Sequence, residues 1–126
     1  MTSEFDGGIG VDIVEVERIQ AAWRRFGARF VNRLFTPAEI RHCLAKARPA
    51  ESLAARFAAK EAFAKAWSGP DLPGWHDVEV VMEGPKPAFR LRGTAAGTAA
   101  QLSLSHTHRY AVAMVRLGRP GGGGTP

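Results

Sequence analysis

The chain has one cysteine, Cys43, in 126 residues, which rules out an internal disulfide and leaves no basis for a structural zinc site. A bridge-stapled secreted scaffold is therefore excluded, and a reducing, cytoplasmic setting is expected. No apolar run is long enough to span a bilayer, and Met1-Thr2-Ser3-Glu4-Phe5-Asp6 has no signal-peptide pattern. There is no internal repeat. There is no Gly-x-Ser-x-Gly elbow either, so a serine nucleophile is disfavoured even though Ser105 adjoins His106. Acidic residues are the minority: 12 Asp and Glu against 17 Lys and Arg give a net charge of +5.

What is present describes one globular domain, with 45% hydrophobic and 23% charged residues. Between positions 17 and 48 stand Arg18, Arg24, Arg25, Arg29, Arg33, Arg41, Lys46 and Arg48 against only Glu17 and Glu39. Such a surface suits an acidic partner (nucleic acid, a phosphorylated ligand or an acidic protein) or is a solvated helix face. Trp23, Phe26, Phe30 and Phe35 are spaced as a core stripe rather than a base-stacking platform.

The run Arg56-Phe57-Ala58-Ala59-Lys60-Glu61-Ala62-Phe63-Ala64-Lys65-Ala66 is the most informative segment. It reads as a strong helix with small apolar residues on every side, closely packed by its neighbours. Glu61 and Lys65 share one face of it, because residues four apart sit above one another. A carboxylate in such a lining calls for a cation or metal; the alternative is an ordinary i,i+4 ion pair worth about 0.5 kcal/mol or less.

In Gly7-Gly8-Ile9-Gly10-Val11-Asp12-Ile13-Val14-Glu15-Val16, alternation puts Ile9, Val11 and Ile13 on one strand face and Gly8, Gly10, Asp12 and Val14 on the other. The pattern predicts a strand buried on both faces and interrupted by Asp12, with glycines that admit a ligand or another backbone. Asp12 either caps a nearby turn or joins Glu61 at a hard divalent cation, as magnesium takes one or two carboxylates plus water and phosphate oxygens.

The remaining elements follow in order. Val16 to about Phe26 is predicted helical, with Gly27 ending or bending it. Thr36-Pro37-Ala38-Glu39 is a capping box opening a helix to about Ala47, and the Ala-rich helix is expected from Ser52 to Trp67. A loop at 68–74 precedes a hairpin of Asp77–Met82 and Pro87–Arg92; a helical turn or two is expected over Thr94–Ala100. Gln101–Ser105 and Tyr110–Leu117 complete the strands around the turn His106-Thr107-His108-Arg109, putting Ser103 and Ser105 opposite the leucines. The expectation is an α+β fold, helices on an antiparallel sheet, in a single domain over 1–117 with a disordered Gly- and Pro-rich tail over 118–126.

Three pieces together resemble the holo-acyl-carrier-protein synthase family of 4′-phosphopantetheinyl transferases. They are Gly8-Ile9-Gly10-Val11-Asp12-Ile13-Val14-Glu15 followed by Arg18, then Phe35-Thr36-Pro37-Ala38-Glu39, and Leu53-Ala54-Ala55-Arg56-Phe57-Ala58-Ala59-Lys60-Glu61-Ala62-Phe63-Ala64-Lys65-Ala66. Pro85-Lys86-Pro87 and Leu102-Ser103-Leu104-Ser105-His106 extend the match in family order over about residues 7 to 117. Pro70-Asp71-Leu72-Pro73, Pro85 in place of a glycine and the short stretch from Arg92 to Ser103 depart from the family pattern.

The resemblance implies transfer of phosphopantetheine from coenzyme A to a serine of apo acyl carrier protein, releasing adenosine 3′,5′-bisphosphate. It implies Mg2+ held by Asp12 and Glu61, with Lys65 on the pyrophosphate beside Glu61 as the catalytic pair; the serine's base is Glu61 or a water at the metal. Arg56, Lys60, Lys86, Ser105 and His106 are implied near coenzyme A, and Arg18, Arg24 and Arg25 at an acidic carrier of fatty acid or polyketide synthesis. It further implies a homotrimer with sites between protomers, and neither nucleic-acid nor membrane binding. Two rivals use the same residues: a polyanion-binding module on the arginines, and a magnesium-dependent hydrolase of a nucleotide pyrophosphate.

Overall fold

The computed structural model describes residues 7–118, so the tail expected over 118–126 lies, apart from Gly118, outside the described residues. Strand β1 (Ile9–Glu15) leads into helix α1 (Val16–Phe26), then α2 (Ala28–Leu34), α3 (Pro37–Leu44) and the long α4 (Pro49–Ala66). The hairpin β2 (Val78–Glu83) and β3 (Lys86–Leu91) follows, then β4 (Ala100–His106) and β5 (Tyr110–Leu117). β1, β5 and β4 form one antiparallel sheet in that order, and β2–β3 forms a separate two-stranded sheet. The expected α+β arrangement with antiparallel sheets is observed.

Close packing between α4 and the sheet organises the molecule. A Cβ added to Gly10 would fall 2.0 Å from the carbonyl oxygen of Ala62, and one on Gly8 1.9 Å from that of Ala66. Glycine therefore lets the helix backbone rest directly on the strand. It is the helix backbone, rather than a ligand, that takes up the space beside these glycines. β5 continues the small surface with Ala111 and Ala113 buried between Val115 and the strand's start. α4 buries Ala54, Ala55, Ala58, Ala59, Ala62 and Ala66, confirming a helix lined with small residues on nearly every side.

Several local expectations are corrected. α4 starts at Pro49, whose missing N–H costs nothing in a first turn, three residues before the expected start. α3 ends at Leu44, and the segment expected helical over Thr94–Ala100 holds only a one-turn 3-10 helix, Gly93–Ala95. α2 was not foreseen: Gly27, at φ +61°, closes α1 by donating to the Trp23 carbonyl at 2.7 Å and opens a second short helix that buries Val31 and Leu34.

The largest correction concerns β1. Ile9, Val11 and Ile13 are 66%, 56% and 66% exposed, and on the same outer face Met114 is 51% exposed. The strand is buried on the α4 side alone. An apolar patch of this kind on an outer sheet face marks an interaction surface rather than a core.

The Thr36 capping box forms as expected: the Glu39 N–H donates to the Thr36 hydroxyl at 3.2 Å, and the Thr36 N–H to Glu39 Oε1 at 2.9 Å. Glu39 then goes further than a cap. It is 1% exposed, accepts from the Val80 N–H at 2.8 Å and pairs with Lys60 Nζ at 2.8 Å. Lys60 also donates to the carbonyls of Trp75 and Val78, both at 2.8 Å. Burial pushes the Lys60 ammonium below its ordinary value, and Glu39 opposes that shift. Lys60 thus fastens α4 to α3 and to the start of β2.

Candidate functional site

On the open side of the β1–α4 contact lies a cleft of about 400 Å³, lined by Asp12, Ile13, Val14, Arg18, Ile19, Ala22, Phe57 and Glu61. Asp12 emerges from the α4-facing side of β1, two residues beyond Gly10. Glu61 and Lys65 come from α4, whose long side chains lean toward its N-terminus. Lys65 Nζ donates to Asp12 Oδ1 and to the Val11 carbonyl, each at 3.1 Å. The sequence-predicted trio of Asp12, Glu61 and Lys65 is therefore brought together, with Arg18 of α1 on the same cleft.

Glu61 is half-buried and forms no ion pair among the described residues. Burial pushes its carboxyl above the ordinary range and the Asp12 charge adds to that, while Lys65 pulls the other way. Two carboxylates crowded in this manner are stabilised by a cation between them. Among the described residues no cluster of three or more His, Cys, Asp or Glu is arranged for a metal, so any ion here rests on these two with oxygen ligands from water or phosphate.

Other expected site residues lie elsewhere. Lys60 is committed to Glu39, with its side chain only 1% exposed, and Arg56 is 5% exposed beside Cys43. Neither lines the Asp12–Glu61 cleft within one chain. On a helix Lys60 is turned about 100° from Glu61, and Arg56 about 140°. Cys43 is excluded as a nucleophile: burial pushes its thiol up to about 11, against a smaller opposing pull from Arg56.

His106 and Ser105, at the end of β4, are exposed, and His106 Nδ1 lies 3.3 Å from Glu51 Oε1 in the first turn of α4. Glu51 and Glu61 are separated by about 15 Å of helix at 1.5 Å per residue. Within one chain, then, the histidine end and the carboxylate end do not meet. Lys86 is exposed at the hairpin tip, opposite Glu83 across the Gly84-Pro85 turn.

The docking trio divides. Arg18 and Arg25, seven residues apart, share a helix face with Ala22, whereas Arg24 is rotated about 120° from Arg18. Residues that sequence reasoning missed include Glu51 and Phe57. Of these, Phe57 carried a signal, being the one bulky residue among alanines on the Glu61 side of α4.

Comparison with known proteins agrees with this geometry. The sequence model of the 4′-phosphopantetheinyl transferase superfamily matches residues 8–115. The chain belongs to that superfamily. Holo-[acyl-carrier-protein] synthase of Koribacter versatilis is 51% identical over 121 residues, covering 87% of this chain and 96% of the relative. Among solved structures, holo-[acyl-carrier-protein] synthase from Neisseria meningitidis superposes with a TM-score of 0.78 at 31% identity, covering 89% of this chain and 98% of that one. The Helicobacter pylori protein of the same name, solved in complex with coenzyme A, has a TM-score of 0.72 at 30% identity, with 86% and 98% covered. The chain is thus an enzyme of the phosphopantetheinyl transferase class, and the Asp12–Glu61 cleft is the candidate active site of this transferase. No helix among the described residues is long and apolar enough to cross a membrane.

Proposed function

We propose that this transferase moves the 4′-phosphopantetheine arm of coenzyme A onto a serine of an acidic apo acyl carrier protein, in a magnesium-dependent reaction in the cytoplasm. The observation that carries this reading is the Asp12–Glu61 pair, crowded on one cleft with Lys65 and Arg18. The serine oxygen bonds to the phosphorus bearing the pantetheine arm, and the bond from that phosphorus to the bridging oxygen breaks. Adenosine 3′,5′-bisphosphate leaves with the bridging oxygen. Asp12 and Glu61 would hold magnesium, which would supply charge neutralisation and in-line orientation of the reacting phosphoryl group.

Lys65 is 56% exposed at its side chain, free to swing from Asp12 to the pyrophosphate and stabilise the leaving group. Glu61, on the same cleft, is the candidate to take the serine proton. A hydrolase would use water in place of the serine; release of adenosine 3′,5′-bisphosphate only when carrier is present separates the two. A polyanion-binding module is disfavoured because both carboxylates beside Arg18 repel phosphate unless a cation is bound.

Arg18 lines the cleft and Arg25 continues the same face of α1; with Arg24, on a different face, they form the proposed carrier surface. Arg18→Glu is expected to raise the KM for carrier about tenfold or more at low salt, with little change in the KM for coenzyme A and a weaker salt dependence. Steady-state kinetics varying each substrate in turn check this. Equal loss for both substrates would contradict docking by Arg18.

The exposed apolar face of Ile9, Val11, Ile13, Val112 and Met114 supports self-association, and a homotrimer is the proposed assembly. In it, Ser105, His106 and Lys86 of a neighbouring copy would join coenzyme A bound at Asp12 and Glu61, which accounts for the separation of the two ends within one chain. Mixing Asp12→Ala with His106→Ala protein, and letting subunits exchange, is then expected to restore a fraction of turnover that neither variant has alone at low coenzyme A. No recovery in mixed assemblies would overturn the shared site.

A further inference from the structure

Outside the cleft, a cluster of ionisable side chains surrounds Glu51. This residue is 8% exposed in the first turn of α4, where the helix N-terminus favours a carboxylate. Its two oxygens are divided between two rings: Oε1 lies 3.3 Å from His106 Nδ1, and Oε2 2.9 Å from His108 Nδ1. Arg48 NH1 stands 3.6 Å from Oε2. The hydrogen bond from His108 holds the Glu51 carboxyl below its ordinary range, with burial opposing and the charges of His108, Arg48 and His106 assisting. Beside the cluster lies a cleft of about 350 Å³ bordered by Gln20, Trp23, Arg48, Glu51 and His108. Arg109, Glu15 and Glu17 border the other side of His108.

We infer that Glu51 is a positioning residue that clamps both imidazoles by Nδ1 and so presents the Nε2 edges of His106 and His108 together to an anionic ligand. The clamp rests on the reading above only in naming that ligand as the phosphates of coenzyme A. A carboxylate is an acceptor at both oxygens: the His108 ring is hydrogen-bonded to Oε2 through Nδ1, and the His106 Nδ1 lies within ion-pair reach of Oε1, so an N–H at that nitrogen faces it. When doubly protonated, each ring also donates from Nε2, on the opposite edge, to a phosphate oxygen. Without the clamp, two exposed side chains at the end of a strand would have to be ordered by the ligand itself, at a cost in affinity.

Glutamine tests this because it keeps the shape and removes one acceptor. In Glu51→Gln the amide oxygen satisfies one Nδ1–H, and the amide NH2 faces the other Nδ1, which must then carry a lone pair. Ring nitrogen-15 NMR of the unliganded protein near pH 8.5, where imidazoles are ordinarily neutral, is expected to show Nδ1–H on both rings in the wild type. One ring should become Nε2–H in the variant. Kinetics should show the KM for coenzyme A rising about five- to tenfold with kcat within twofold. If both rings keep Nδ1–H in the variant, or if the KM is unchanged when one ring switches, the clamp is overturned. Should Glu51→Gln fail to fold, Glu51→Asp, too short to reach both rings, is expected to release one of them in the same spectrum; two rings held as before would also overturn it. Wild-type KM for coenzyme A in His106→Ala would instead refute the phosphate contact, while the ring spectra of the Glu51 variants still decide whether the clamp exists.

Discussion

Asp12→Ala and Glu61→Ala should each lower kcat about a thousandfold or more while leaving the fold in place. The magnitude follows from the role: a cation at a transferring phosphoryl group contributes several kcal/mol, and each 1.36 kcal/mol is tenfold in rate. Neither residue holds the fold together. Asp12 pairs with a mostly exposed Lys65, an interaction worth about 1 kcal/mol or less, and Glu61 has no ion-pair partner among the described residues. Removing Glu61 also removes a carboxylate whose proton affinity is lifted by burial first and by the Asp12 charge second, so its variant should melt no lower than the wild type. Circular dichroism melts alongside single-turnover transfer rates check both halves. A variant with full activity would remove that residue from the metal site. Loss of activity together with loss of fold would make the effect structural.

Gly10→Val has the opposite signature, acting on the fold first. The first carbon of any side chain there would lie 2.0 Å from the Ala62 oxygen and 3.0 Å from its carbonyl carbon. Both are backbone atoms of a helix packed on nearly every side, so the contact is relieved only by lifting α4 off β1. Overpacking a tight core costs about 1–3 kcal/mol where side chains can shift, and more where backbone must move. Against a typical total stability of about 5–15 kcal/mol, Gly10→Val is expected to leave most of the chain unfolded or aggregated at 37 °C. Gly10→Ala should lower Tm by roughly 10 °C or more. Denaturant titration of both checks this; native stability in Gly10→Val would mean that β1 and α4 are not in backbone contact. The consequence for function is direct, because the same contact sets Asp12 against Glu61.

These two predictions draw on signals that were visible in the chain. Glu61 and Lys65 four residues apart, and Asp12 in step with Gly8 and Gly10, are periodic facts, and periodicity survives folding. Which face of β1 would be covered was not visible: Ile9, Val11 and Ile13 read as core because apolar alternation does not distinguish a protein's interior from an interface. The burial of Lys60 was not visible for a related reason. Its partner Glu39 lies on another helix, and nothing local marks one lysine of the α4 run as buried and another as exposed. α2 escaped because it is short and carries Arg29, Asn32 and Arg33 on its outer side, leaving too few apolar residues to set a period. His106 stands out in the sequence only by its place at a strand end, and its separation from Glu61, by the length of α4 from Glu51, appears only in three dimensions.

The most direct test is the intact mass of an apo acyl carrier protein incubated with this protein, coenzyme A and magnesium. The account predicts that the carrier gains one phosphopantetheine, that a chelator prevents the gain, and that Asp12→Ala protein fails to produce it. An unmodified carrier in the presence of folded wild-type protein, across carriers of both fatty acid and polyketide type, would contradict it.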